Sequence, residues 1–268
     1  VRYRVISHFK EIKRHYKADG CIVTPHFIVP DWPAPKHIQA FTTTRAGGIS
    51  LPPYNSFNLA DHVGDKSDNV AQNRQRLVQI ARLPESPRWL SQHHSVDVIN
   101  SLNWTRNVPA DGIYTTQHNH VCTVMTADCL PVLICDREGK QVAAVHAGWR
   151  GLADGILERA IAQFTSGNND LLIWFGPAIG PSHFEVGHDV VTAFTTHAIE
   201  AEQAFTQIDN SHVMADIYLL ARQRLQALGI TAVYGGDQCT VSDAKRFFSY
   251  RRDVATGRMA SLIWIASP

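Results

Sequence analysis

Three short segments hold the residues best suited to chemistry. Segments 91–98 (SQHHSVDV), 126–132 (TADCLPV) and 143–151 (AAVHAGWRG) each set a His or a Cys at the end of an apolar run, beside turn residues. Strand ends and the loops behind them are where sites are usually assembled. Cys129 and His146 lie on runs joined by a short turn, so their side chains can be neighbours. Two chemistries suit such a pair. The thiolate could be a nucleophile with the imidazole as its base. Alternatively, both could bind zinc with His94 as third ligand, leaving the fourth position to water or substrate. Separations of 35 and 17 residues decide between neither. An apolar-flanked Cys is also an ordinary small core residue, which is the favoured reading at Cys122, Cys135 and Cys239. His93 and His94 are adjacent, so on a strand at most one of them faces the site. Asp97 and Asp128 could orient an imidazole, or serve only as turn and cap carboxylates.

Anion contacts have weaker signatures. Gly148 and Gly151 bracket Trp149 and Arg150 ahead of a predicted helix, a setting in which free N–H groups and an Arg can receive an anion. Arg45, in TTTRAGG, and Arg251, in FFSYRRD, are further candidates, with solvated surface arginine as the alternative. GPAIGP (176–181) reads equally well as a rigid loop.

The elements that must position these residues follow from periodicity. IQAFTTTR (38–45) is β-branched and predicts a strand. Segment 67–82 has apolar residues near helical spacing and predicts a helix opened by a Ser or Asp cap. RWLSQHH (88–94) and VDVINSL (96–102) predict strands. So do 121–128, 130–136 and 141–148, with Arg137–Lys140 as a hairpin turn between the last two. Segment 151–164 predicts one helix, 171–180 a buried strand and loop. Helices are expected around 188–204 and 215–228, the second ended by Gly229. Strands close the chain, FFSYRRD and RMASLIWIA among them. Hairpins mixed with helices imply an α+β fold in which helices cover the faces of mixed, largely antiparallel sheets.

Composition bounds the function. The chain has 268 residues, 44% hydrophobic and 18% charged, enough apolar material for a substantial core. The formal charge is +1. Residues 1–20 carry six basic and two acidic side chains, so the rest of the chain is net acidic. That balance carries no bulk signature of nucleic-acid binding. Five cysteines without repeated spacing do not form a secreted disulfide framework, and no apolar run approaches a membrane span. A reducing cytoplasm is the expected compartment, with no membrane partner.

Taken together, TTTRAGGISLPPYNSFNL, the Gln-x-His at 92–94, TADCLPVLICD, AAVHAGWRGL, GPAIGPSHFEVG and FFSYRRDVATGRMASLI resemble the laccase-domain family. Its members are described as bacterial polyphenol oxidases, purine nucleoside phosphorylases and peptidoglycan-editing factors. The resemblance covers roughly residues 28–266. It implies a single catalytic domain over 25–268, built as a layered α/β/β/α sandwich, with 1–24 as a basic extension outside the match. It implies one metal, zinc rather than copper, held by His94, Cys129 and His146. The implied activity is phosphorolysis of adenosine, inosine or methylthioadenosine to a base and ribose 1-phosphate, with adenosine deamination beside it. The substrates are then a small nucleoside and phosphate, and the protein a monomer or weak homo-oligomer. Asp128, the acid nearest the ligands in sequence, is the expected general acid/base, and Arg45, Arg150 and Arg251 the expected phosphate contacts. Glu185, in His183-Phe184-Glu185, could reach a deaminase site only through the fold. A copper-using phenol oxidase is an alternative, although His118-x-His120 is the single His-x-His pair in the chain. A Cys129/His146 thiol hydrolase acting on peptidoglycan precursors is another, and a non-enzymatic scaffold a last one.

Overall fold

The computed structural model describes residues 26–209 and 212–267. The basic segment 1–24 and Cys21 therefore lie outside the described residues. Along the chain come β1 (Phe27–Ile28), β2 (Ile38–Thr43), α1 (Ser67–Ala81), β3 (Val98–Asn100), β4 (Gly112–Thr115), β5 (Cys122–Thr126), β6 (Leu130–Asp136) and β7 (Val142–Ala147). They are followed by α2 (Trp149–Asp154), α3 (Ile156–Ile161), β8 (Leu171–Phe175), β9 (Glu185–Val186), α4 (His188–Thr195), β10 (Phe205–Gln207) and β11 (Val213–Ala215). The chain ends with α5 (Ile217–Ala227), β12 (Val233–Gly235), α6 (Tyr250–Asp253) and β13 (Met259–Ile265).

Three sheets result. One has six strands in the order β12-β8-β6-β7-β4-β3, one has four in the order β1-β2-β13-β5, and a small one is β10-β11-β9. Pairing is antiparallel except for β12 with β8 and β3 with β4. The alternation of apolar side chains decides the layers. Leu133, Cys135, Val142 and Ala144 of the six-stranded sheet pack against Ile38, Ala40, Val124 and Ile263 of the four-stranded one. The opposite face of the larger sheet, with Val132, Ile134, Val145 and Ile173, is covered by α2, α3, α4 and α5. The outer face of the smaller, with Phe41 and Leu262, is covered by Leu77 and Ala81 of α1. The fold is thus the expected mixed α+β arrangement of two sheets between helical layers. Burial on both faces explains why β6 reads as an unbroken apolar run, every residue of it buried.

Several elements differ from the sequence expectation, each for a local reason. The helix predicted over 151–164 is two helices, because Gly155 adopts φ 97°, a conformation cheap only for glycine. The helix around 188–204 ends at Thr195, and Ile199–Ala204 forms a 3-10 turn instead. Helix α1 begins after Lys66, without a side-chain cap. Segment 88–94 is no strand: Arg88 and Ser91 make single bridges, and the N–H groups of His93 and His94 are taken by a carboxylate. Only Val98–Asn100 of the next segment is a strand, before the 3-10 turn Ser101–Asn103, where the Asn100 side chain accepts from Leu102 N–H. FFSYRRD does not extend. Ser249 accepts the Arg252 N–H as an N-cap and α6 starts there. Strands β2, β5 to β8 and β13, the 137–140 turn and the helix before Gly229 (φ 76°) are as expected, whereas the short strands β1, β4, β9, β10 and β11 lie outside the sequence expectation.

Candidate metal centre

The β6–β7 hairpin builds two-thirds of the centre. Its register pairs Leu130 with Ala147 and Pro131 with His146, which brings Cys129, just before β6, beside His146. The third residue comes from the loop before β3. His94 has φ 65°, so the loop reverses there and presents its ring to the hairpin. The two imidazoles meet edge to face with centroids 4.9 Å apart, and His94 Nε2 lies 3.7 Å from Cys129 Sγ. The ligand atoms of His94, Cys129 and His146 all lie within 4.8 Å of one another.

Asp111, at the end of the PADG turn before β4, holds this arrangement. Its carboxylate is fully buried and accepts from His146 Nδ1 at 2.8 Å, His94 N at 3.0 Å, Ser95 N at 2.7 Å and Ser95 Oγ at 2.8 Å. His93 N–H completes the set at 3.3 Å. One side chain therefore fixes both the backbone that carries His94 and the tautomer of His146, whose Nε2 is left for the thiol side. The sequence reading missed Asp111. It lies 17 residues from the His94 loop and 35 from His146, and the only hint is an Asp-Gly turn at a strand entrance. Asp97, considered for this role, uses its backbone: its carbonyl accepts from Asp111 N and Gly112 N, while its carboxylate is exposed.

Electrostatics bind the group together. Burial would raise the Cys129 thiol, but His146 and His94 outweigh it and bring the thiol down to about 6. Burial would lower His146, but the Cys129 thiolate and Asp111 raise it to about 9. Asp111 is itself buried, yet His146 and Ser95 hold it well below the ordinary carboxylate range. Both shifts favour a thiolate beside an imidazolium in the metal-free pair. One deprotonated thiolate and two imidazole nitrogens form the N/S donor set that a borderline-soft ion prefers. Gly148 shows that the cradle is built for close approach. A Cβ there would sit 2.4 Å from His94 Cδ2 and 3.3 Å from Cys129 Sγ.

The other proposed residues have distinct places. Asp128, with φ 89°, is buried, and its carboxylate accepts from Thr240 Oγ1, Ser249 Oγ and Arg251 N. It thereby ties α6 to the loop that carries Cys129. Arg45 donates to Asn55 O and Ala244 O and stacks on Phe248. Arg251 donates to the carbonyls of His183 and Glu185. Arg150 is exposed, lies over the Trp149 ring, and has no hydrogen bond or ion pair among the described residues. Glu185 is exposed in β9, near His212.

A fourth arginine, not singled out in the sequence, lies within the field of the candidate centre. Arg258, just before β13, is half-buried, and burial lowers its pKa against the fields of Cys129 and Asp128, which favour its charge. Its Nη1 donates to Thr256 O and Gly257 O. On its other side it depresses His62, whose pKa burial already lowers. His62 lines a cavity of about 430 Å³ with Asp61, Arg74, Trp89 and Gln92. Arg74 stacks on Trp89 at 4.4 Å there.

Residues 39–266 match a family model described as multi-copper polyphenol oxidoreductase laccase. A Haemophilus influenzae protein named purine nucleoside phosphorylase is 52% identical over 239 residues, covering 88% of this chain and 98% of that one. Purine nucleoside phosphorylase YfiH of Escherichia coli K12 is 50% identical, covering 89% and 98%. Among solved structures, a Neisseria meningitidis protein superposes with a TM-score of 0.87 at 48% identity, covering 90% of this chain and 99% of that one. YlmD from Geobacillus stearothermophilus superposes with a TM-score of 0.81 at 29% identity, covering 87% and 93%.

Proposed function

The chain belongs to the laccase-like family described as multi-copper polyphenol oxidoreductases, and from that premise we propose that it is a zinc-dependent purine nucleoside phosphorylase. Its substrates would be adenosine, inosine or methylthioadenosine with phosphate. The observation that carries this reading is the His94/Cys129/His146 group, locked by buried Asp111, in a chain half identical to proteins named purine nucleoside phosphorylase. Three protein ligands with an open position are the arrangement of a catalytic zinc, which would supply a Lewis acid to substrate or water. The chain's own residues supply the rest. Asp111 keeps His146 Nδ1 protonated and the ring fixed. The cavity lined by Trp89 and His62 is large enough for a nucleoside, with the Arg74 guanidinium stacked on the Trp89 ring at its wall. Arg258, charged and half-buried beside the thiolate, would hold the phosphate against the ribose.

Deamination is the weaker companion. It asks for a free general acid/base near the ligands, and Asp128 already accepts from three donors. Copper oxidase chemistry is also less favoured, since among the described residues one His/Cys group has metal-binding spacing and His120 is bonded to Ser101. One specific observation favours a second reading. Cys129, His146 and Asp111 also make a nucleophile–base–acid series, with the thiol already depressed to about 6. That series suits a thiol hydrolase acting on amides such as peptidoglycan precursors. Product analysis with adenosine, with and without phosphate, on protein of known metal content separates these readings. Ribose 1-phosphate formed only with metal and phosphate supports phosphorolysis. Inosine alone leaves deamination. Amide hydrolysis that survives chelation and is lost on thiol alkylation replaces both.

A further inference from the structure

A second Cys/His cluster lies outside the metal centre. Cys239 is half-buried in the loop after β12. Gly180 N–H donates to its sulfur at 3.2 Å, the His183 ring nitrogen Nδ1 lies 3.7 Å away, and Ser242 Oγ lies 3.5 Å from that nitrogen. The sulfur opens on a cavity of about 440 Å³ walled by Pro181, Tyr218, Arg222, Asp237 and Gln238. Gly180, which lines the same cavity, packs closely on the thiol: a Cβ there would approach Cys239 Cβ to 3.0 Å and Sγ to 3.1 Å.

We propose that Cys239 is a thiol-modification site for low-molecular-weight disulfides, and that the adduct is felt at the Asp128–Cys129 corner of the metal centre. In the exchange the Cys239 thiolate attacks one sulfur of the disulfide. A new S–S bond forms to Cys239, the old one breaks, and the released thiolate takes a proton from water, so no further oxidant is needed. Burial disfavours the thiolate, but the Ser242 hydroxyl and the N–H groups of Ser242, Gly180 and Val241 outweigh this and lower the thiol pKa. Cys122 and Cys135 are buried, and desolvation raises both.

The connection to the corner is a continuous set of bonds. Ala178 bridges Cys239, Thr240 N–H donates to Ala178 O at 2.9 Å, and Thr240 Oγ1 donates to the Asp128 carboxylate. Ile179 N–H donates to Asp128 O at 2.9 Å. An adduct that takes Gly180's acceptor away pulls on both strands of this pairing.

The test uses full-length, metal-loaded protein with oxidised glutathione at pH 6, followed by alkylation and peptide mapping. The expected result is that, among the cysteines of the described residues, Cys239 alone forms an adduct, several-fold faster than the same thiol in the urea-unfolded chain, and more slowly in Ser242→Ala. Cys239→Ser, which keeps an acceptor for Gly180, leaves Cys122 and Cys135 free. Amide exchange in peptides containing Ile179 and Arg251 rises in the adduct but not in Cys239→Ser. Native Cys239 reacting no faster than the unfolded thiol overturns the site. An adduct with unchanged exchange at Ile179 and Arg251 overturns the link.

Discussion

Asp111→Asn is the substitution that tests the centre's design most directly. The side chain keeps its size, but one of two accepting oxygens becomes a donor. In the native site Oδ1 receives His146 Nδ1 and His94 N, and Oδ2 receives Ser95 N, Ser95 Oγ and, at 3.3 Å, His93 N. An amide oxygen can serve one of these sets, so the other faces an N–H₂ group. If that is the Oδ2 set, the Ser95 hydroxyl can rotate and accept, while the orphaned N–H groups of Ser95 and His93 cannot. Each buried donor left without an acceptor costs about 1–3 kcal/mol. Loss of the charge that polarises His146 weakens metal affinity about 10- to 100-fold, which is about 1.4–2.7 kcal/mol. Affinity is measured by competition with a chromophoric chelator, and stability by urea unfolding of the metal-free protein. The carboxylate is held below its ordinary range, so its stabilising contribution is present above the unfolded pKa near about 3.9 and lost as pH falls below it. The difference between wild type and variant must therefore shrink on acidification. A variant that binds metal within threefold of wild type, at unchanged urea midpoint, refutes the assignment of Asp111 as the organiser.

Gly148→Ala should lose metal affinity at least tenfold while circular dichroism stays native, because the new methyl strikes the partly exposed His94 ring rather than the core; equal affinity would sink the cradle argument. In metal-free protein the ultraviolet thiolate absorbance of Cys129, isolated by comparison with Cys129→Ser, should rise with a midpoint near about 6. The depressed thiol and the raised His146 have opposite signs. Between about 6.5 and 9 the folded pair and the unfolded pair hold the same number of protons, so the pair's contribution to stability is flat there. Metal binding in that range should then release one proton, as read by calorimetry in buffers of different ionisation enthalpy; release of two would show that the thiol and His146 are both protonated, against the depressed thiol. Arg258→Lys should raise the KM for phosphate with metal content unchanged, whereas Arg45→Lys should lower stability by about 1–2 kcal/mol, through its lost carbonyl contacts, and leave that KM alone. The reverse pattern would exchange their roles.

The candidate donors were legible because their types are rare at strand ends and the hairpin between β6 and β7 is short. Local information sufficed to place Cys129 beside His146. The α+β layering was legible too, since alternation and apolar runs record which strands are covered on one face and which on two. Helix 151–164 misled because periodicity does not register one glycine at φ 97°. Segment 88–94 misled because its amides serve a carboxylate from a turn far along the chain. FFSYRRD carried strand propensity, and long-range acceptors turned it into a helix start: Ser249 caps it locally, while Asp128 draws in the Arg251 amide.

By itself, then, the sequence offered the candidate donors and most of the strands that carry them, because both depend on residue type and near-neighbour spacing, while the third donor, His94, was assigned to the pair through the family resemblance. Tertiary structure alone decided which charges are used and how. Asp111 gathers the His94 loop and His146, Asp128 ties α6 to the loop of Cys129, and Arg258 lies within the field of Cys129. Those roles depend on burial and on distances between segments tens of residues apart, and the free energy of a charge in a protein is set by its surroundings rather than by its neighbours in the chain.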